Sequence, residues 1–312
     1  LDDNAVFWGV ELPLKKRGEL KGHAGPVYAL CKGRSERTVF SGSSDGFVAE
    51  WNYVFGQVER FSINTGSPIF SLCHVPEKQL LVVGHDNGDL RFVDLAQRQE
   101  LKLIRHQEKG IFSIVFDAQY QRLYSISGDG RFCAWDAADF RLLIDLPISL
   151  EKLRCLVISA SHYLFIGCAD GDVVVLEPEF FNEVYRFRAH DLGVNSLVFC
   201  GANDFYTGGK DAFLHHYQWL DNSIVLKKKI PAHNYAIYGL CADENSGLVF
   251  SCSRDKTLKV FSTPLDFLQR IDRKDSDGHK SSVNALYLDK EKKLLVSTGD
   301  DRAIITWMYG SL

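Results

Sequence analysis

No apolar run in this 312-residue chain approaches the roughly 18 residues a membrane-crossing helix needs; the longest, such as Val173 to Leu176, are strand-sized. A helical membrane span is therefore not expected. Positive charge is not in excess either. The 36 Lys and Arg residues stand against 40 Asp and Glu, a formal net charge of -4, which offers no long-range attraction to a phosphate backbone. Nucleic acid is accordingly not an expected partner. The eight cysteines form no CxxC pair, and several lie inside apolar runs, as in Ala29-Leu30-Cys31 and Gly239-Leu240-Cys241. They read as buried reduced thiols that behave as small hydrophobes. Asn-x-Ser/Thr sequons are absent as well. Thiols and sequons together predict a cytoplasmic protein, although the chain begins at Leu1 without a methionine, so trimming of an N-terminal segment is left open.

The chain does contain an internal repeat. An Asp in a tight polar turn follows a short apolar strand seven times, at Asp45, Asp86, Asp129, Asp170, Asp211, Asp255 and Asp301. Successive differences of 41, 43, 41, 41, 44 and 46 residues match the period of a four-stranded propeller blade and not that of a helical solenoid. Six residues after each Asp stands a large apolar side chain: Trp51, Phe92, Trp135, Leu176, Tyr217, Phe261 and Trp307. Five repeats also carry a His some 21 to 23 residues before the Asp, at His23, His106, His190, His233 and His279. The same five carry a hydroxyl four residues before it, at Ser41, Ser125, Thr207, Ser251 and Ser297, whereas the two repeats without His have Val82 and Ile166 there. A buried imidazole between a carboxylate and a hydroxyl satisfies all three polar groups at once, which explains why the residues come and go together.

This Gly-His, Ser-x-x-x-Asp and Trp spacing resembles the WD-repeat β-propeller family over nearly the whole chain, with the literal dipeptide kept only at Trp135-Asp136. The resemblance implies that His, hydroxyl, Asp and Trp form a structural tetrad. The predicted fold is all-β, a single seven-bladed propeller of four-stranded antiparallel blades over residues 1–312. Each repeat opens on an inner strand whose third position is small: Ala29, Ser71, Ser113, Cys155, Ser196, Gly239 and Ala285. Radial sheets crowd at the central axis, and small side chains fit there. Only five residues follow Trp307, too few for a fourth strand of usual length. The segment Lys16 to Lys21 is expected to complete the last blade.

Several features suggest chemistry without carrying it. The Asp-His-hydroxyl sets have the composition of a hydrolase triad, but fivefold repetition is what a framework requires and a catalytic site does not. Gly42-Ser43-Ser44-Asp45-Gly46 fits the G-x-S-x-G elbow, which must open a helix, yet Phe47 to Trp51 reads as a strand. His215 and His216 are adjacent, so in a strand they face opposite ways and do not chelate together. Lys227-Lys228-Lys229 reads as a solvated outer strand. No cofactor or metal is expected, and no catalysis.

Variable positions are the informative ones. The second residue of each inner strand is Tyr28, Phe70, Phe112, Arg154, Asn195, Tyr238 and Asn284, and the residue before each turn Asp is Ser44, His85, Gly128, Ala169, Lys210, Arg254 and Asp300. In the family, the resemblance implies, both positions face the narrower mouth of the channel. Four aromatics, two asparagines and a basic arc of Arg154, Lys210 and Arg254 have the composition of a binding hot spot. The expected function is a scaffold, a monomer on its own, that captures a peptide or protein segment of acidic character at this mouth. The alternative is a propeller lyase or hydrolase with its site at the mouth. That needs paired carboxylates or metal ligands, and Asp300 is the one carboxylate among these positions.

Overall fold

The computed structural model describes residues 13–220 and 223–310. They form seven four-stranded antiparallel sheets, each a meander whose first strand lies nearest the axis. Blades 1 to 6 span residues 27–64, 69–105, 111–147, 153–188, 194–231 and 237–271 in chain order. Blade 7 combines residues 283–309 with the N-terminal strand Leu14–Leu20. The strand expected to close the ring is therefore present, beginning two residues earlier than the sequence suggested. It pairs antiparallel to Ile304–Tyr309, from Leu14 opposite Tyr309 to Leu20 opposite Ile304. A buried glutamine of blade 6 pins its first residue: the Leu14 amide donates to Gln269 Oε1 at 2.8 Å, and Gln269 Nε2 donates to the Leu14 carbonyl at 2.9 Å. Lys16 adds an ion pair to Asp277 at 2.7 Å.

The second and third strands of each blade are nearly all buried, because neighbouring blades cover both of their faces. One interblade core joins Val82 and Phe92 of blade 2 to Leu123 and Trp135 of blade 3, and another joins Phe165 and Val173 of blade 4 to Phe205 and Tyr217 of blade 5. Each fully buried side chain of this size contributes about 1.5–3 kcal/mol through the hydrophobic effect. Blades approach so closely that a Cβ on Gly42 would lie 2.5 Å from Ile69 Cγ2 of the next blade. The small third residues of the inner strands are explained in the same way. Ser71, for example, donates its hydroxyl across the blade boundary to the Ile111 carbonyl at 2.8 Å.

Candidate functional site

Every inner strand carries the same irregularity. In blade 1, Val27 pairs with Ser43 and Ala29 with Gly42, so Tyr28 is an extra residue that the ladder skips. The register slips at the same place in all seven blades. A bulged residue leaves the pleat and re-aims its side chain. Here the seven side chains come together: Tyr28, Phe70, Phe112, Arg154, Asn195, Tyr238 and Asn284 line one cavity of about 410 Å³ on the axis, with Asp300 at its edge.

Three consecutive aromatics of this ring pack on one another. Tyr28 meets Phe70 edge-on at 5.6 Å, Phe70 stacks on Phe112 at 5.5 Å, and the Arg154 guanidinium lies 4.3 Å over the Phe112 ring. These rings therefore pack against one another while lining the cavity. The asparagines point their amides at the framework: Asn195 Nδ2 donates to the Ile237 carbonyl at 3.0 Å, and Asn284 Nδ2 to the Val27 carbonyl at 3.1 Å and to Asp300 at 2.8 Å. Burial raises the pKa of Tyr28, with the Asp300 carboxylate adding to it, and burial lowers that of Arg154. Among the described residues Arg154 forms no ion pair, so its charge faces the mouth uncompensated.

The residues before the turn form a second ring, with one correction. In each blade the amide of this residue donates to the loop entering the inner strand: Ser44 to Pro26, Asp86 to Pro68, Lys210 to Gly193, Arg254 to Ala236 and Asp300 to Ser282. In blade 2 the mouth position thus belongs to Asp86, not to His85. The turn residue there is Asn87, whose Oδ1 accepts from the Asp89 amide at 3.1 Å, as Asp45 accepts from Phe47 at 2.9 Å. Gly88 follows it at φ 89°, as Gly46 follows Asp45 at φ 80°. His85 is buried, its Nδ1 3.2 Å from the Ser67 carbonyl, in the place where Ser43 bonds to Gly25 in blade 1. The same slip puts Val93, not Phe92, opposite Leu81, as Trp51 stands opposite Val39.

Four of the five expected His networks are present. His23, His190, His233 and His279 set Nδ1 2.9–3.0 Å from Asp45, Asp211, Asp255 and Asp301, and Nε2 2.6–2.9 Å from Ser41, Thr207, Ser251 and Ser297. Trp51 and Trp307 complete two of them by donating to the serine at 2.7 and 2.8 Å. Burial opposes ionisation of Asp255, but donation from His233, Thr257 and the Asn234 amide prevails and lowers its pKa. Blade 3 differs from expectation. His106 is partly exposed and bonds Asp145 at 2.8 Å, while the buried Gln107 takes the framework position. Gln107 Oε1 accepts from Ser125 at 2.8 Å, Gln107 Nε2 donates to Ser127 at 2.6 Å, and Ser127 in turn bonds Asp129. Networks repeated around the ring in this way hold loops to blades.

His106, Cys133 and Asp145 bring potential ligand atoms within 4.8 Å of one another. However, Arg131 already donates to Asp145 at 2.7 Å, and burial pushes the Cys133 thiol upward, so the cluster is built as a hydrogen-bonded group around a carboxylate. His215 and His216 do face opposite ways. The former stacks on His190 at 4.0 Å, and the latter bonds Asp204 at 2.7 Å. Of the lysine run, Lys228 pairs with Asp266 of blade 6 at 2.8 Å.

Lys210 and Arg254 lie beside the axis with Arg154, on a second cavity of about 590 Å³ over blades 4 to 6. Sequence reasoning missed Lys152, Leu192 and Tyr235, which share it. They sit on the loops leading into the inner strands: Lys152 accepts the second-ring amide of Ala169, while Leu192 and Tyr235 stand one residue before Gly193 and Ala236, which accept those of Lys210 and Arg254.

Three stretches, residues 14–52, 224–262 and 273–307, match the WD domain, G-beta repeat family. The seven-bladed propeller thus carries WD repeats. Each matched stretch starts in or next to the outer strand of one blade and ends at the third strand of the next, and each contains one His-Asp-Ser network. Among the relatives of this WD-repeat chain, the WD repeat-containing protein 55 homolog of Dictyostelium discoideum is 24% identical over 54% of the chain and 45% of the relative. The Ribosome biogenesis protein BOP1 homolog of Oryza sativa subsp. japonica is 24% identical over 78% of the chain and 42% of the relative. Ribosome biogenesis protein YTM1 of Lodderomyces elongisporus is 22% identical over 91% of the chain and 50% of the relative. The chain thus spans about half the length of these curated relatives or less.

Proposed function

We propose that this WD-repeat propeller is a non-catalytic scaffold that holds a segment of a partner protein at the mouth, with the ring aromatics as anchors and the basic arc selecting acidic character. The observation that carries the reading is the bulge repeated in every inner strand. It frees seven side chains from the sheet and aims them at one opening, where they can vary without cost to the ladder. Relatives named for ribosome biogenesis support a role inside an assembly. A monomer within the reducing cell interior, either cytoplasmic or at sites of ribosome assembly, is part of the proposal, and imaging of a tagged chain would separate the two locations.

The test is a quantitative pull-down from source-cell lysate. It compares wild type with a variant carrying Tyr28→Ala, Phe70→Ala, Phe112→Ala and Tyr238→Ala, after circular dichroism has shown that both fold. Partners lost from the variant alone support the mouth. Partners retained in full move the interface to the rim or the outer strands.

A further inference from the structure

Charge around the mouth is divided by blade. Lys152 and Arg154 of blade 4, Lys210 of blade 5 and Arg254 of blade 6 border the off-axis cavity, and none of the four forms an ion pair among the described residues. Glu151 stands at the rim, and the carboxylate of Asp211 is turned inward onto His190. The opposite side of the mouth carries Asp300 of blade 7 and Asp86 of blade 2, both exposed. Apolar exposure follows the cations. Leu192 is 49% exposed and Tyr235 59%, on equivalent loops leading into the inner strands of blades 5 and 6, with the Arg254 guanidinium 5.9 Å over the Tyr235 ring. Blades 1, 2 and 7 place Gly25, Ser67 and Ser281 at that loop position.

From this distribution we propose that the groove over blades 4 to 6 is a docking site for an acidic segment that also bears aromatic side chains. The inference rests on the scaffold reading above and gives it a location and a chemistry. Uncompensated cations favour carboxylates, and a cavity of about 590 Å³ is within the usual range for small sites, roughly 300–1,000 Å³. Leu192 and Tyr235 offer apolar surface that a carboxylate alone would leave wet and an aromatic ring would cover. A phosphodiester backbone fits less well. It brings no apolar surface of its own to those two side chains, and where it ran on across the mouth it would meet Asp300 and Asp86. The two acidic residues thus hold an acidic segment to one side of the axis.

The test uses fluorescence anisotropy with four labelled probes: a random Glu-Tyr copolymer, poly-glutamate, poly-lysine and a single-stranded RNA of similar charge. The copolymer is expected to bind at least about fivefold more tightly than poly-glutamate, with poly-lysine and RNA weaker still. Lys210→Glu with Arg254→Glu should weaken copolymer binding by about tenfold or more. Leu192→Ser with Tyr235→Ser should remove the preference for the copolymer over poly-glutamate while leaving poly-glutamate binding in place. All four positions are exposed or loop-borne, and unchanged melting temperatures would show that the variants are folded. Copolymer binding that ignores the charge reversals overturns the inference, as does binding equal to that of poly-glutamate or RNA binding as tight as copolymer binding. Failure here is separable from failure of the scaffold reading. If these variants keep every lysate partner that the four-alanine ring variant loses, the groove is wrong and the mouth stands. If both sets of variants keep all partners, the scaffold reading fails too.

Discussion

Replacing Gln107 should damage the fold far more than replacing its neighbour His106, although His106 is the residue that matches the repeat by type. Gln107 is 4% exposed and makes three hydrogen bonds: it accepts from Ser125 at 2.8 Å and donates to Ser127 at 2.6 Å and to the Arg131 carbonyl at 3.3 Å. Ser125 also receives the Trp135 indole N–H at 2.9 Å, so Gln107→Ala leaves its own hydroxyl proton without an acceptor. Stranding a buried polar group costs about 1–3 kcal/mol, and with the lost packing the total is about 2–4 kcal/mol. For a chain of this length that lowers the melting temperature by about 5 °C. His106→Ala removes one half-exposed bond to Asp145, which Arg131 still neutralises, and an edge contact on Trp135. It should cost about 1 kcal/mol or less. Gln107→His rebuilds what four sister blades contain and should stay within about 1 kcal/mol of wild type. Differential scanning calorimetry of the three variants decides the matter. A larger loss for His106→Ala than for Gln107→Ala would refute the assignment of blade 3.

Acid sensitivity follows from His215, which stacks on His190, faces Asp211 and Lys229 and bonds Tyr217. Burial first, then His190 and Lys229, lower its pKa to about 3. The unfolded chain binds this proton near 6.5, so the stability that depends on a neutral His215 is complete above that pH and is lost as pH falls toward 3. Between pH 7.5 and 5.5 wild type should lose melting temperature, and His215→Phe, which keeps a ring against His190 without a titrating group, should lose less. Equal losses would remove His215 from the explanation. At the ring closure, Gln269→Ala removes both bonds to the Leu14 backbone, each worth about 1 kcal/mol. Amides of Leu14–Leu20 should then exchange with solvent about tenfold faster while those of Ile111–Asp117 do not change, as read by hydrogen–deuterium exchange. Uniform acceleration would mean that the closing strand is held by something other than Gln269.

Period, blade count, ring closure and four of the polar networks were legible in the sequence because each rests on a residue type that few others can replace. The two errors were single-residue slips, at His106 for Gln107 and at Asp86 for Asn87, and they share a cause. In both places a residue of the usual type stands next to an amide that performs the role. An imidazole with its proton on Nδ1 donates to the Asp and accepts from the hydroxyl at Nε2. Glutamine has the same polarity, with a carbonyl to accept from Ser125 and an N–H that reaches Asp129 through Ser127. Asparagine accepts the turn amide as aspartate does. Spacing carried the answer that residue type hid. Asn87 lies 42 residues from both Asp45 and Asp129, and Gln107 lies 22 before Asp129 as His23 lies 22 before Asp45. The groove on blades 4 to 6 was only half legible, since Lys152 and Tyr235 sit in loops whose equivalence depends on a backbone bond that no side-chain pattern records.

The inner strands show how one framework presents a mouth that differs from blade to blade. Their first residue is always Val, Ile or Leu with no exposure, from Val27 round to Val283, because it seals the boundary between two blades. The third is always small, because the neighbouring blade lies against it. The residue between them is skipped by the ladder, so neither constraint reaches it, and tyrosine, phenylalanine, arginine and asparagine all occur there. A repeat under uniform selection for folding would still be free to differ at that position. The differences are not scattered around the ring. Contiguous, mutually packed aromatics run through blades 1 to 3, with Tyr238 the one further ring on blade 6; the cation of the ring stands on blade 4, and the next two blades add Lys210 and Arg254 from the second ring. This order gives the ring a direction, with stacked aromatics on blades 1 to 3 and positive charge without an ion-pair partner among the described residues on blades 4 to 6.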